Sequence, residues 1–140
     1  MDDVASLFQT RQQGTLPDLL GLEWIEIRPG FVEGRFEVRE HHVAPNGFLH
    51  AASVVALADT ACGYGCFAFL PEGASGFTTI ELKANFVGTA REGGVRCEAQ
   101  MLHGGRTTQL WDALVKSEIT GKTIAAFRCT QIILYPEPKR

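Results

Sequence analysis

Residues 50–70 form the longest apolar run in this chain, and one charge, Asp59, interrupts it. Small residues (Ala51, Ala52, Ala56, Ala58, Ala61) favour helix over strand here. Helical spacing puts apolar side chains on every side, so the helix is expected to be buried all round. A carboxylate inside such a helix is costly unless something pairs with it or uses it. Two readings of Asp59 follow. It is structural, hydrogen-bonded to neighbouring backbone as buried polar groups usually are, or it is functional. The run also has the length of a membrane span, about 20 residues. Asp59 itself, the interruptions at Gly63, Gly65 and Pro71, and the lack of flanking basic residues argue against that, as does a mean hydropathy of +0.01 for the chain.

A chain of 140 residues is expected to form one domain over 1–140, with residues 1–20 as an N-terminal helical extension and 136–140 as a frayed tail. A net charge of −3 argues against non-specific binding to nucleic acid or anionic membranes, which needs a basic surface, and leaves room for a local basic patch toward a phosphorylated ligand. The four cysteines follow neither a disulfide nor a zinc pattern. Cys62 and Cys66 lie one helical turn apart without a CxxC or a matching His pair, and read as small buried thiols. His41, His42 and His103 read as loop or surface residues, and no metal site is expected. Met1-Asp2-Asp3-Val4 is acidic where a secretion signal is basic, so a cytoplasmic location with reduced thiols is expected.

Val4 to Gln13 has helical spacing, and Leu16-Pro17-Asp18-Leu19-Leu20 reads as a short helical turn with Pro17 near its start. Strands are expected over 22–28 and 31–38, joined at Pro29-Gly30. Pro45-Asn46-Gly47 forces a loop before the long helix, which Pro71 and Gly73 terminate. Four strands then follow: 77–86, 94–102, 107–119 and 123–134, expected as a meander of consecutive neighbours. A long apolar helix followed by antiparallel strands indicates an α+β architecture with the sheet curled around the helix. Such a sheet leaves edges to cover, so a homo-oligomer is expected.

This order of elements, with Gly47-Phe48-Leu49-His50 leading into Ala51-Ala52 and then Leu57-Ala58-Asp59-Thr60-Ala61, resembles the hotdog-fold acyl-CoA thioesterases. The subgroup it resembles most contains the phenylacetate-pathway thioesterase and one branch of the 4-hydroxybenzoyl-CoA thioesterases. Those proteins carry His-Gly-Gly at the helix start and an Asp or Glu nine residues after that His, the spacing of His50 and Asp59. The resemblance implies a hotdog fold, an antiparallel sheet wrapped around one central helix. It implies Asp59 as catalytic carboxylate, acting as nucleophile or general base, and the Ala51 amide as oxyanion donor. His50 would help to position the carbonyl, and Asn46 would stand in for an Asn or Gln found six residues before the motif His, where this chain has Ala44. Ala52, Thr60, Gly63, Tyr64, Phe77, Thr79, Lys83 and Arg106 make up the implied substrate-binding set, and the Gly104-Gly105-Arg106-Thr107 turn resembles a nucleotide-side contact. Arg91 and Arg128 are further cations suited to coenzyme A phosphates. This chain has Ala51-Ala52 in place of Gly-Gly, and Gly63 where relatives often carry Ser or Thr.

Elementary physics runs the same way. A helix N-terminus offers free N–H groups and a positive dipole end to a developing oxyanion, and an apolar pocket makes a carboxylate more basic. Nine helical residues turn about 900°, which puts His50 and Asp59 on opposite sides of one helix. A site shared across a dimer resolves this, and the resemblance implies the same arrangement, with a dimer of dimers beyond it. The expected activity is hydrolysis of an aryl- or medium-chain acyl-CoA without metal or redox cofactor. Two alternatives remain at this point: an acyl-CoA-binding protein that no longer hydrolyses, motivated by the missing glycines, and a hotdog enoyl-CoA hydratase or dehydratase.

Overall fold

A computed structural model describes residues 3–138. Met1-Asp2 of the acidic start and Lys139-Arg140 of the expected tail lie outside them. Helix α1 (Val4–Arg11) is capped by Asp3, whose side chain accepts from the Ser6 N–H, and the short α2 (Leu16–Leu19) has Pro17 in its first turn. Strands β1 (Glu23–Arg28) and β2 (Phe31–Glu37) form a hairpin. A single 3-10 turn at Glu40–His42 precedes the long helix α3 (Ala51–Ala68). Four strands follow: β3 (Gly76–Phe86), β4 (Gly94–Gly104), β5 (Thr108–Ser117) and β6 (Thr123–Leu134).

These strands make one antiparallel sheet in the order β1-β2-β4-β5-β6-β3. The expected meander is corrected in one place. β3 does not pair with its sequence neighbour β4; it crosses to the far edge and pairs with β6, from Gly76↔Leu134 to Phe86↔Ala125. The alternation of β3 fits either neighbour. Leu82, Ala84 and Phe86 lie in register with Cys129, Phe127 and Ala125, on the sheet face that meets α3.

The sheet wraps α3, whose Leu57, Ala58, Ala61, Cys62 and Cys66 are fully buried against β2, β4, β5 and β6. Gly65 sets how near the helix can come. A Cβ there would stand 2.4 Å from the Trp111 ring and 2.9 Å from Val32, inside any tolerable contact. Trp111, in turn, is fixed by its indole N–H donating to Gln109 Oε1 at 2.8 Å. By length and composition alone α3 could cross a membrane, with mean hydropathy 1.3 over its 18 residues, but half of it is buried by its own sheet. The expectation of burial all round is also corrected. Ala51, Ala52 and Phe67 are exposed and Val55, Ala56, Asp59 and Thr60 only half-buried, so one side of the helix stays open. All four cysteines are buried free thiols.

The two sheet edges differ. β1 is covered by α1. Gln9 Oε1 accepts from the Trp24 N–H at 2.9 Å, and its Nε2 donates to the Leu22 carbonyl at 2.9 Å, replacing a missing strand. Gln12 repeats the clasp from inside. Its Nε2 donates to the same carbonyl at 2.8 Å, while its Oε1 accepts from the Trp24 indole at 2.7 Å and from the Tyr64 hydroxyl at 3.0 Å. β3, at the other edge, has no such cover among the described residues.

His42 departs from the expectation of a loop or surface histidine, being 1% exposed. Its Nδ1 accepts from the Arg39 N–H at 2.9 Å, so the neutral ring carries its proton on Nε2, which donates to the Leu20 carbonyl at 2.6 Å. The ring stacks on Phe36 with centroids 4.3 Å apart. The His42 carbonyl accepts from the His50 N–H and the Ser53 hydroxyl, each at 2.9 Å. The His42 ring thus joins the N-terminal segment to β2, and its backbone carbonyl holds the start of α3.

Burial is the main cause holding His42 below the ordinary histidine value of 6.5. A second proton would also set Nδ1–H against the Arg39 N–H. The stability this residue contributes is present above 6.5 and lost as pH falls through the lower folded value, because the unfolded chain binds a proton that the folded chain refuses. The thermal midpoint of the unsubstituted protein should exceed that of His42→Gln at pH about 8, and the gap should shrink on acidification to about 5. A constant gap in thermal denaturation would contradict this role.

Candidate active site

Asp59 lies mid-way along α3 on its half-open side. Its Oδ1 is shut off from solvent yet has no hydrogen-bond partner among the described residues. Burial alone pushes its pKa above the ordinary 3.8. The bland reading of Asp59, a structural carboxylate satisfied by nearby backbone, requires a partner for that buried oxygen. No such partner is present among the described residues, and Asp59 lines a cavity of about 370 Å³.

This cavity gathers six of the residues singled out in the sequence: Asp59, Thr60, Gly63 and Tyr64 from α3, and Phe77 and Thr79 from β3. Phe8 from α1, Pro17 from α2 and Phe67 complete its lining. Gly63, one turn beyond the acid, is where the Phe77 ring comes to rest; a Cβ at Gly63 would stand 3.1 Å from its tip. Tyr64 turns its ring to the cavity, but its hydroxyl is occupied by Gln12. Phe8, Pro17 and Gln12 were missed in the sequence. The apolar face of α1 was visible, but nothing local specifies where that face docks.

The helix start holds a second arrangement. His50 is the N-cap, and its Nδ1 accepts from the Ala52 N–H at 2.9 Å, which places the proton of the neutral ring on Nε2. The Ser53 N–H is taken by the His50 carbonyl at 3.0 Å. Of the first three amides of α3, only that of Ala51 donates to nothing among the described residues. Ala51 is exposed and has ordinary helical backbone, which alanine adopts without strain. The free donor sits at the positive end of the helix dipole.

The other expected residues lie elsewhere in this single chain. His50, Ala51 and Ala52 do not line the Asp59 cavity. Neither does Asn46, whose Oδ1 accepts from the Phe48 N–H at 3.1 Å and closes the turn before α3. Lys83 lies on the outer face of the sheet, in an open groove of about 590 Å³ shared with Asp112 and Arg128. Those two pair with each other through Arg128 Nη2 and Asp112 Oδ2 at 2.9 Å. Arg106 lines a separate cleft of about 380 Å³ beside Gly65, Phe69 and Trp111, near the C-terminal end of α3. Arg91 is stacked 4.2 Å over the Phe48 ring, on the loop that leads into α3.

The chain thus holds a helix-borne carboxylate with an unpartnered oxygen beside an apolar cavity and, apart from both, an unused amide at the helix start. Residues 46–124 match the model of the Thioesterase superfamily, over half of the chain. The chain belongs to this superfamily. It is 30% identical over 115 residues to a 1,4-dihydroxy-2-naphthoyl-CoA hydrolase of Listeria monocytogenes, covering 82% of this chain and 92% of that protein. It is also 30% identical over 105 residues to the proofreading thioesterase EntH of Cronobacter turicensis, covering 75% of this chain and 76% of the relative. Among solved structures, a mutant of thioesterase PA1618 from Pseudomonas aeruginosa superposes with a TM-score of 0.87 at 25% identity, over 93% of each chain. A thioesterase family protein from Silicibacter pomeroyi gives 0.82 at 28% identity, over 95% of this chain and 97% of that one. The hotdog fold and thioester hydrolysis are therefore properties of this chain. The α1–β2 segment, which precedes residue 46, lies outside the matched residues.

Replacing His50 by Ala removes the acceptor from the Ala52 N–H and should lower the unfolding free energy by about 1 kcal/mol, the scale of a lost N-cap. Urea denaturation checks it, with an unchanged slope expected.

Proposed function

We propose that this thioesterase hydrolyses an aryl- or medium-chain acyl-CoA, with Asp59 as the reacting carboxylate. The observation that carries this reading is Asp59 itself, whose Oδ1 is buried without a hydrogen-bond partner and which lines an apolar cavity. A carboxylate without its water shell is a stronger base and nucleophile than one in solution. As base it takes a proton from water while the oxygen attacks the thioester carbon. As nucleophile it attacks that carbon itself, and water then opens the resulting anhydride. Either route breaks the C–S bond, leaves the free acid, and delivers one proton to the departing thiolate. Neither requires a metal or a redox cofactor.

The carbonyl oxygen gains charge as attack proceeds, and the Ala51 N–H is suited to it. Within one chain the two groups are too far apart, because eight residues of helix separate them by about 12 Å along the axis. A two-fold dimer places Ala51 of the partner subunit over Asp59. Two features support a dimer: the open side of α3 that carries Ala51 and Ala52, and the uncovered edge of β3. The groove with Lys83, Asp112 and Arg128 offers both charge signs to a dimer of dimers. The name of the Listeria relative, an aryl-CoA hydrolase, supports the aryl end of the substrate range. The acidic balance of the chain supports an enzyme acting on a small molecule rather than on nucleic acid or a membrane, and the acidic N-terminal residues support a cytoplasmic one.

Free-thiol release from a panel of acyl-CoAs tests the reading. Asp59→Asn should lower kcat by about a hundredfold or more, the scale of a positioned acid or base. Equal rates would remove Asp59 from the chemistry, and acyl-CoA bound but never consumed would favour a binding protein. The ionised carboxylate is the active form, so kcat/KM should fall as pH drops through a value above the ordinary 3.8.

Ala51→Pro isolates the amide. Proline is favoured at the first helical position, and His50 already has the extended backbone that precedes proline, with φ −71 and ψ 135. The thermal midpoint should hold while kcat falls by about 10²–10³, the cost of one lost oxyanion donor.

A further inference from the structure

We propose that α1 is the selectivity wall of the Asp59 cavity and that Phe8 sets how long an acyl group it admits, favouring a flat aryl-acyl group over an extended alkyl chain. This rests on the acyl-CoA reading above. Phe8 is 5% exposed, yet it is part of the cavity lining. Its ring lies 4.7 Å from that of Tyr64, tilted by 41°, and 6.1 Å from that of Phe67, edge-on at 82°. On the far side the Phe77 ring approaches Gly63, which has no side chain to hold it away.

The cavity is therefore bounded by rings, which keep their shape because only two torsions place each one. Flat, rigid walls favour offset or edge contacts with another ring, whereas a long alkyl chain needs a tunnel that flexible side chains can open. Phe8 can act as an end-stop only if α1 stays in place, and the clasp of Gln9 and Gln12 holds it. The Gln12 Oε1 contact with the Tyr64 hydroxyl at 3.0 Å ties this helix directly to a lining residue of α3. α1 also lies outside the residues that match the superfamily model.

Phe8→Leu and Phe8→Trp act in opposite senses on the space and in the same sense on packing. The experiment measures kcat/KM on benzoyl-CoA and on straight chains from butanoyl- to dodecanoyl-CoA, each expressed as a ratio to benzoyl-CoA within the same variant. Partial unfolding cancels in that ratio. Phe8→Leu should raise the ratio for the longest chains by about tenfold, the scale of one or two methylenes admitted to a pocket, and Phe8→Trp should lower it. Leu7, exposed on the same helix, supplies the control, Leu7→Ala, with ratios unchanged. Ratios that stay constant in both Phe8 variants would reduce Phe8 to a packing residue and overturn the wall. An unsubstituted protein that prefers dodecanoyl-CoA to benzoyl-CoA would overturn it as well. Failure of the unsubstituted protein to hydrolyse any of the panel would overturn the acyl-CoA reading itself, and the wall with it.

Discussion

The close approach of α3 to its sheet at Gly65 is the constraint on which the rest depends. Trp111 occupies the space a side chain would need, and the helix settles into the curve of β2, β4, β5 and β6. With its inner side committed to that contact, the residues that remain on its outer side include Ala51, Ala52, Val55, Ala56, Asp59, Thr60 and Phe67. The depth of the helix in the sheet thus fixes both the burial of Asp59 Oδ1 and the exposure of the helix start. Chemistry and stability oppose each other here. Among the described residues the buried Asp59 Oδ1 makes no hydrogen bond that stabilises the fold, and its burial costs free energy. Natural proteins keep such groups where activity needs them.

A second tension is resolved at the N-terminus. An uncovered strand edge invites pairing with another chain. At the start of β1 the Gln9 side chain copies the bonds of a neighbouring strand, Gln12 adds a bond to the Leu22 carbonyl, and the same helix closes the cavity. β3 is left uncovered, and the open side of α3 is left with it. One edge is protected and the other kept available, which suits the divided site proposed above.

Much of this was legible in the residues. Glycine- and proline-marked turns at Pro29-Gly30, Gly93-Gly94 and Gly104-Gly105 bound the strands to within a few residues, and the α+β wrap follows from one apolar helix among alternating strands. Asp59 stood out as the one charge in residues 50–70. The position of β3 was not legible, because alternation says which side of a strand faces inward and nothing about which strand lies beside it. Burial of α3 on all sides was overread, since alanines at 51 and 52 tolerate water as readily as a core. His42 and Gln12 escaped notice because a polar residue in a loop or at a helix end carries no periodic signal; their burial comes from partners 22 and 52 positions away. The aromatic wall was half legible: Phe77 and Tyr64 lie in the stretch that carries the family resemblance, whereas Phe8 reaches the cavity only through tertiary docking.

The crossing of β3 to the far edge also bears on how the chain reaches its native state. Its ladder joins Gly76 to Leu134 and Phe86 to Ala125, so the strand has no partner until nearly the entire chain exists. During synthesis α3 and β3 emerge together, one apolar and one with every backbone group unpaired, while the strand they both require is still unmade. Pairings so distant in sequence form late, after loop-closure entropy has been overcome. The N-terminal hairpin, by contrast, is complete early and already clasped by α1. Assembly should therefore proceed from the β1 side of the sheet toward β3, which makes the edge left open in the finished molecule also the last to be laid down.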